Sequence, residues 1–199
     1  QTFQEQETVT VEQLQNFKNE QLPLFDSSRE EEMKNVILEA KEDKDSVGGI
    51  VETFVLGMPA GYGNPFFNSV ESTIAQLVFS VPATKGLEFG SGFDITRMRG
   101  SESNDEYYYD EDGQIKTKSN HNGGFLGGIT YGMPVVFRTA IKAPASIEKK
   151  QQTVNIETGE EDVLEVHGRH DPCIVPRVLP VLEAITALAL MDLMLGREG

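Results

Sequence analysis

Four consecutive residues, Arg169-His170-Asp171-Pro172, place a permanent cation, a titratable ring and a carboxylate just ahead of a long apolar segment. Proline is favoured in the first turn of a helix, and the N-terminus of a helix attracts anions. These residue types could therefore hold a phosphate or transfer a proton. The same pattern is typical of a helix cap, in which Asp171 caps the helix and Arg169 pairs with it. The four residues alone leave both interpretations open.

A second candidate is the glycine-rich segment Gly123-Gly-Phe-Leu-Gly-Gly128, because paired glycines can expose backbone amides to an anion. Its spacing matches neither the dinucleotide-binding nor the P-loop pattern, and tight turns use paired glycines more often. His121, His167 and His170 lack the spacing of a zinc site, so we predict no metal. Nothing in the sequence suggests a base positioned to activate Cys173 as a nucleophile.

Several cations lie in or beside apolar segments that contain glycine or proline, where an arginine or lysine usually has a carboxylate or phosphate partner. Internal ion pairs and ligand contacts are equally open for each of them: Lys85, Arg97, Arg99, Arg138, Lys142, Arg169 and Arg177.

The elements that must position these residues belong to an α+β fold. Helical spacing of apolar residues predicts helices near residues 30–44, 66–80 and 176–195, the last of them buried between layers. Strands are predicted at residues 49–57, 86–90, 93–98 and 135–141, with a hairpin at 153–166 that turns at Thr158-Gly159. We expect one antiparallel sheet packed on long helices.

Composition divides the chain near residue 47. Residues 1–47 are predicted to form a polar tail and an amphipathic surface helix, and residues 48–199 the core, with a mobile acidic loop at about 101–120. No apolar run is expected to reach membrane-spanning length, and a net charge of -15 would repel nucleic acid or an anionic membrane. We therefore predict neither partner. The single cysteine favours a reducing, cytoplasmic location.

Four blocks of sequence, in this order, resemble the chorismate synthase family. They are Gly57-Met-Pro-Ala-Gly-Tyr-Gly63, Lys85-Gly-Leu-Glu-Phe-Gly-Ser-Gly-Phe93, Ser119-Asn-His-Asn-Gly-Gly-Phe-Leu-Gly-Gly-Ile129 and Gly168-Arg-His-Asp-Pro-Cys173. The family converts 5-enolpyruvylshikimate 3-phosphate to chorismate and phosphate by an anti-1,4-elimination that requires reduced FMN. The resemblance implies a homotetramer whose subunits are β-α-β sandwiches of two antiparallel sheets around central helices.

The resemblance also implies which residues contact the flavin. The family's FMN contacts fall on Pro82, Ala83, Gly127, Lys142, Ala143, Pro144, Ala145, Ser146 and Arg169. Two of these positions depart from the common pattern. Pro82 stands where the family commonly has asparagine, and residues 142–146 carry fewer hydroxyls than the usual Lys-Pro-Thr-Ser-Ser.

Two residues are implied to be catalytic. Asp171 falls where the family has an aspartate near flavin N5, proposed to help deprotonate it. His170, with Arg169, is expected to face the substrate.

The N-terminal half of the family has no counterpart in these 199 residues. The resemblance assigns to that half a Gly-His-Gly motif, a second catalytic histidine and the arginines for the substrate phosphate. We therefore expect this chain to be a truncated, inactive part of a lyase of the shikimate pathway. A non-catalytic module that binds flavin or another anion, and a structural fragment that associates through apolar faces, remain open. Whether NADPH or a separate reductase supplies the electrons to the flavin is open too.

Overall fold

The structure, a computed structural model, describes residues 9–18, 20 and 22–198, without the side chains of residues 197 and 198. The predicted polar tail falls partly on residues 1–8, 19 and 21, which lie outside the described residues. The helices are α1 (Val11–Phe17), α2 (Glu30–Glu42), α3 (Val70–Val78), α4 (Gly100–Ser103) and α5 (Val175–Glu198). The strands are β1 (Gly49–Val55), β2 (Thr84–Phe89), β3 (Tyr107–Tyr109), β4 (Ile115–Thr117), β5 (Phe125–Leu126), β6 (Ile129–Thr130), β7 (Val135–Ile141), β8 (Gln151–Val154) and β9 (Glu161–Leu164).

The main sheet has three antiparallel strands in the order β1-β7-β2. β7 lies in the centre, with both of its edges paired, and five of its seven residues are apolar. Alternate side chains of a strand point to opposite faces, and Val135, Phe137 and Ile141 share the face that packs on α3 and α5. The predicted α+β fold, with an antiparallel sheet packed on helices, is confirmed.

Helices α3 and α5 cover that face of the sheet. In α3, Val70, Ile74 and Val78 follow one another at intervals of four residues and are fully buried. The side chain of Ser69 begins the helix by accepting a hydrogen bond from the backbone N–H of Ser72 (3.1 Å). The predicted helix at 66–80 is therefore confirmed, with a shorter span.

Helix α5 differs from its prediction in burial. Val178, Leu182, Ala189 and Leu190 are buried against α3 and β1, but the opposite face is apolar and exposed within the described residues. That face carries Val181, Leu188, Met191 and Leu195. The expectation that α5 is buried between two layers is thus met on one side only.

The length of α5 corrects a second expectation. Residues Val175–Gly196 are long and apolar enough to cross a membrane by length and composition, so the prediction that no apolar run reaches that length is wrong. The core helix of a soluble protein passes the same test, and one such helix is weak evidence for a membrane span. The apolar pattern of α5 is accounted for in part by its contacts with α3 and β1.

Two segments have a different local structure from the one predicted. The predicted strand at 93–98 is a 3-10 helix, Gly92–Arg97. The chain turns there because Gly92 has a φ of 53° and the N–H of Phe93 donates to the carboxylate of Glu88 (3.0 Å). The segment 101–120, predicted to lack regular structure, holds α4 and the β3–β4 hairpin. The predicted hairpin around Thr158-Gly159 is confirmed as β8–β9.

The sheet face away from the helices carries a row of charges. Arg138 on β7 lies opposite Glu52 on β1 and opposite Glu88 on β2. Its guanidinium contacts Glu88 at 2.7 Å, and both side chains are largely buried. Burial raises the pKa of the Glu52 carboxyl above its usual value, and the Arg138 charge offsets this only in part.

The parent protein is expected to become less stable as the pH rises and Glu52 ionises, and Glu52→Gln should not show this decrease. The folded state holds the Glu52 proton more tightly than the unfolded state does, so the parent protein loses free energy of unfolding from about pH 4.5 upwards. Urea unfolding at a series of pH values measures this slope. Glu111→Gln, which removes an exposed acid, is the control. The same pH slope in Glu52→Gln and in the parent would contradict the assignment.

Candidate functional site

Two segments predicted to contact the flavin meet at one edge of the main sheet, where β7 ends and β1 and β2 begin. Gly49 and Thr84 both lie opposite Ile141, the last residue of β7. The N–H of Lys142 donates to the carbonyl oxygen of Ala83 (2.9 Å). Residues 82–83 and 142–146 are therefore neighbours, although about 60 residues separate them along the chain.

The segment that contains Asp171 is tied to the same edge through the residues just before β1. The hydroxyl of Ser46 donates to the carbonyl oxygen of Pro144 (2.6 Å). The N–H of Val47 donates to the carbonyl oxygen of Pro172 (2.8 Å). We call this region the edge site and define it as Pro82, Ala83, Lys142–Ser146 and Arg169–Pro172.

The backbone at the edge site includes an uncommon conformation. Ala83 has a φ of 72°, in the left-handed region that side chains other than glycine rarely adopt. Among the described residues, the one other non-glycine residue with positive φ is Lys44, whose carbonyl oxygen accepts from the N–H of Glu148 (3.2 Å). Such conformations cost on the order of 1–3 kcal/mol and cluster at functional sites. Their position beside residues 142–148 is consistent with a site here.

Gly48 allows the backbone of residues 142–143 to approach β1 closely. A Cβ atom added to Gly48 would overlap the carbonyl oxygen of Ile141 and would lie 2.9 Å from the amide nitrogen of Ala143. Backbone atoms cannot move aside as the end of a flexible side chain can. A glycine at this position therefore shapes the edge site.

Gly48→Ala is expected to lower the free energy of unfolding by about 1–3 kcal/mol and to loosen residues 142–146, because the added methyl group displaces backbone. Urea unfolding measures the first effect, and limited proteolysis after Lys142 measures the second. Gly100→Ala is the matched control, since nothing lies within 4 Å of its added Cβ atom. Equal stability and equal cleavage in the two variants would contradict the prediction.

The structure pairs Asp171 with a different arginine from the one suggested by the helix-cap interpretation. Arg177 contacts Asp171 at 2.7 Å, whereas Arg169 makes no ion pair with any described residue. α5 begins at Val175, so Asp171 lies four residues before the helix rather than at its capping position. Of the other cations, Arg138 and Arg97 have internal carboxylate partners. Lys142, like Arg169, is exposed and has no ion-pair partner in the described part of the chain.

His170 supplies a buried polar atom without a partner. Its Nε2 atom is buried and makes no hydrogen bond to any described residue. An unpaired buried polar atom costs free energy, so a group that bonds to it would be stabilised there. This nitrogen can bond to a polar ligand atom, and the exposed cations Lys142 and Arg169 suit a ligand with negative charge, as FMN has.

Gly127 is not brought to the edge site. Gly127 and Gly128 are the two turn residues of the β5–β6 hairpin, with φ values of 58° and 84°, as a type I′ turn requires. The carbonyl oxygen of Gly128 accepts from the N–H of Val70 (3.1 Å) at the start of α3, whereas Pro82 follows its end. The intervening helix of nine residues is about 13 Å long. The turn explains this glycine without a ligand, and its contact with FMN stays a prediction.

A sequence model of chorismate synthase matches residues 4–195. The chain belongs to the chorismate synthase family. It is 50% identical over 169 residues to the chorismate synthase of Methanocaldococcus jannaschii, over 85% of this chain and 45% of the relative. To the chorismate synthase of Chitinophaga pinensis it is 57% identical over 152 residues, 76% of this chain and 45% of the relative. The match to the family model includes residues 4–47, which the four motif blocks do not reach.

A crystal structure of chorismate synthase confirms the family fold. It matches with a TM-score of 0.75 at 31% sequence identity, over 94% of this chain and 48% of that one. The chain therefore spans about half the length of the chorismate synthases it matches.

Asp105, which lies outside the four motif blocks, holds one of them in place, and sequence reasoning missed this residue. Asp105 is 7% exposed and lies in the segment predicted as a mobile loop. Its carboxylate accepts hydrogen bonds from the Ser119 hydroxyl and from the backbone N–H of His121, each at 2.7 Å. It also accepts from the backbone and side-chain N–H groups of Asn122 and from the Tyr131 hydroxyl. Asp105 thus anchors the Ser119–Ile129 block, and no periodicity or spacing in the sequence indicates this.

Proposed function

We propose that this chain is one half of an enzyme that converts 5-enolpyruvylshikimate 3-phosphate to chorismate and phosphate with bound reduced FMN. Membership of the chorismate synthase family supports the reaction class. The observation that carries the proposal is the edge site. There the segments implied to contact FMN, residues 82–83 and 142–146, lie beside each other at one edge of the main sheet. The Asp171 segment is joined to the same edge through the residues just before β1.

The edge site supplies groups that the elimination requires. Departure of phosphate is helped by nearby positive charge, which Lys142 and Arg169 offer without an internal ion-pair partner among the described residues. Reduced FMN, when bound, supplies the base for the ring C–H, although the reaction has no net redox change. In this proposal Asp171 holds a proton near the flavin, and His170 contacts the substrate through its Nε2 atom.

Other parts of the machinery are assigned to the half that this chain does not span. They include the motif histidines and the arginines for the substrate phosphate, so the chain by itself is expected to be inactive. We also propose, from the family alone, a cytoplasmic homotetramer. Closure of the pocket by the other half would exclude water and oxygen from the reduced flavin.

The test combines flavin binding with complementation. Oxidised and reduced FMN are titrated anaerobically against the chain, and chorismate formation is then measured with and without the N-terminal half of a relative. We expect turnover only with both halves present. Lys142→Ala should weaken FMN binding about tenfold, whereas Lys118→Ala, which removes a cation paired with Glu106, should not.

Each of the three interpretations has its own outcome. FMN binding without turnover, when both halves are folded and associated, would favour a non-catalytic flavin module. Absence of both binding and turnover in the same associated complex would favour a structural fragment. Either result would overturn the proposed function.

A further inference from the structure

The ion pair between Asp171 and Arg177 joins a loop carboxylate to a rigid helix. Nη1 of Arg177 lies 2.7 Å from Oδ2 of Asp171. Arg177 is in the first turn of α5, where its backbone N–H donates to the carbonyl oxygen of Ile174 (3.0 Å). On the other side, Pro172 is fixed to Val47 by the backbone hydrogen bond at the edge site. The carboxylate is therefore held between two anchored pieces of backbone.

The sequence offers Asp171 a competing partner. Arg169 precedes it by two residues, is exposed and makes no ion pair with any residue that the structure describes. An arginine guanidinium forms directed hydrogen bonds with a carboxylate wherever the two can meet. Without Arg177, the Asp171 carboxylate would be free to rotate and to attract Arg169, and both groups would then be less available to a ligand.

We infer that Arg177 is a positioning residue, which fixes the Asp171 carboxylate and keeps Arg169 unpaired for an anionic ligand. The inference rests on the proposed role of Asp171. The side chain of Arg177 is 71% exposed and that of Asp171 is 37% exposed. Exposed ion pairs contribute little to folding, so removal of this one should change function more than stability.

A double-mutant cycle in the full-length enzyme tests this inference. Arg177→Gln is expected to lower kcat about threefold to fivefold with little change in the KM for the substrate, because an exposed ion pair worth up to about 1 kcal/mol can bias the carboxylate position by no more than that. In the Asp171→Asn background, Arg177→Gln should cause no further loss, since Arg177 acts through Asp171. Arg177→Lys, which keeps the charge, should recover part of the activity.

Flavin affinity provides a readout apart from turnover. Arg177→Gln should weaken FMN binding severalfold, and this effect should vanish in the Arg169→Gln background, where no arginine remains to be recruited by Asp171. Arg97→Gln is the matched control, because Arg97 forms a comparably exposed ion pair with Asp94 at 3.3 Å, outside the edge site. Arg97→Gln should leave kcat and FMN affinity unchanged.

The outcomes separate this inference from the proposed function. Parental kcat in Arg177→Gln would overturn the positioning role. So would a loss of kcat from Arg177→Gln that is as large in the Asp171→Asn background as in the parent. If Arg177→Gln fails to fold, parental kcat together with the same FMN affinity in a folded Arg177→Gly variant would overturn it as well. Full turnover in Asp171→Asn alone would instead overturn the proposed role of Asp171.

Discussion

Replacing Asp105 with alanine is expected to lower the free energy of unfolding by about 3–5 kcal/mol, one of the largest effects for any single change in this chain. The carboxylate is buried and accepts hydrogen bonds from Ser119, His121, Asn122 and Tyr131. Hydrogen bonds to an ionised group are stronger than those between neutral groups, and alanine would leave several partly buried donors without their acceptor. The β5–β6 hairpin should lose order together with the Ser119–Ile129 block.

The ionisation of Asp105 gives the same anchor a pH dependence. Burial tends to raise the pKa of this carboxyl, but the hydrogen bonds from Asn122, Ser119 and His121 together lower it below the usual value of 3.8. A carboxyl with a lowered pKa stabilises the folded state above its unfolded pKa. That contribution is lost as the pH falls through the folded value. The parent should therefore lose stability below about pH 3.8 more steeply than Asp105→Asn does.

Urea unfolding followed by circular dichroism measures the effect, since the chain contains no tryptophan. Glu111→Ala is the matched control, because it removes an exposed acid from the same segment and should change the free energy of unfolding by less than about 0.5 kcal/mol. If Asp105→Ala and Glu111→Ala unfolded at the same urea concentration, Asp105 would not be an anchor.

Local pattern predicted those elements whose periodicity reflects burial. Helix α3 was predictable because one of its faces lies wholly inside the core, which spaces its apolar residues Val70, Ile74 and Val78 four apart. β7 is mostly apolar because the helices cover one of its faces, whereas its Arg138 lies on the opposite face. Residues 93–98 misled the same reasoning. Their spaced apolar residues resemble a strand, but the turn depends on a hydrogen bond from the backbone N–H of Phe93 to the side chain of Glu88, which the pattern does not indicate.

The acidic segment shows a second limit of the sequence. Its composition indicates a solvated loop, and most of its acids are indeed exposed. Asp105 is the exception, because its partners come from 14 to 26 residues further along the chain. The composition of a segment describes its residues together, so it cannot identify the one acid that is buried by partners elsewhere in the chain.

The candidate site was predictable as a set of residues but not as an arrangement. Motif resemblance named Pro82, Ala83 and the 142–146 segment, and the sheet register explains why they are neighbours. Nothing in the residue pattern indicates that Ser46 and Val47 connect this segment to Pro172, since both contacts are accepted by backbone carbonyl oxygens. The partner of Asp171 was equally hidden, because the direction of the chain before α5 decides between two arginines.

Asp171→Asn in the full-length enzyme is expected to lower kcat by about a hundredfold or more, the usual contribution of a group that transfers a proton. Asparagine has the shape of aspartate and keeps one oxygen that can accept from Arg177, but it cannot hold the proton that we assign to the carboxylate. FMN affinity should therefore change little, and the thermal unfolding midpoint should stay within a few degrees of the parent.

The measurement is single-turnover formation of chorismate at saturating reduced FMN, which separates chemistry from flavin binding. Asp94→Asn is the matched control, because Asp94 forms an exposed ion pair with Arg97 outside the edge site and should leave turnover unchanged. Turnover within about threefold of the parent in Asp171→Asn would remove the proton-transfer role, since a change that spares shape but abolishes the charge must slow a step that depends on it. A loss of turnover together with an equal loss of FMN affinity would instead make Asp171 a binding residue. Only a loss of turnover at unchanged affinity reports on the proton itself.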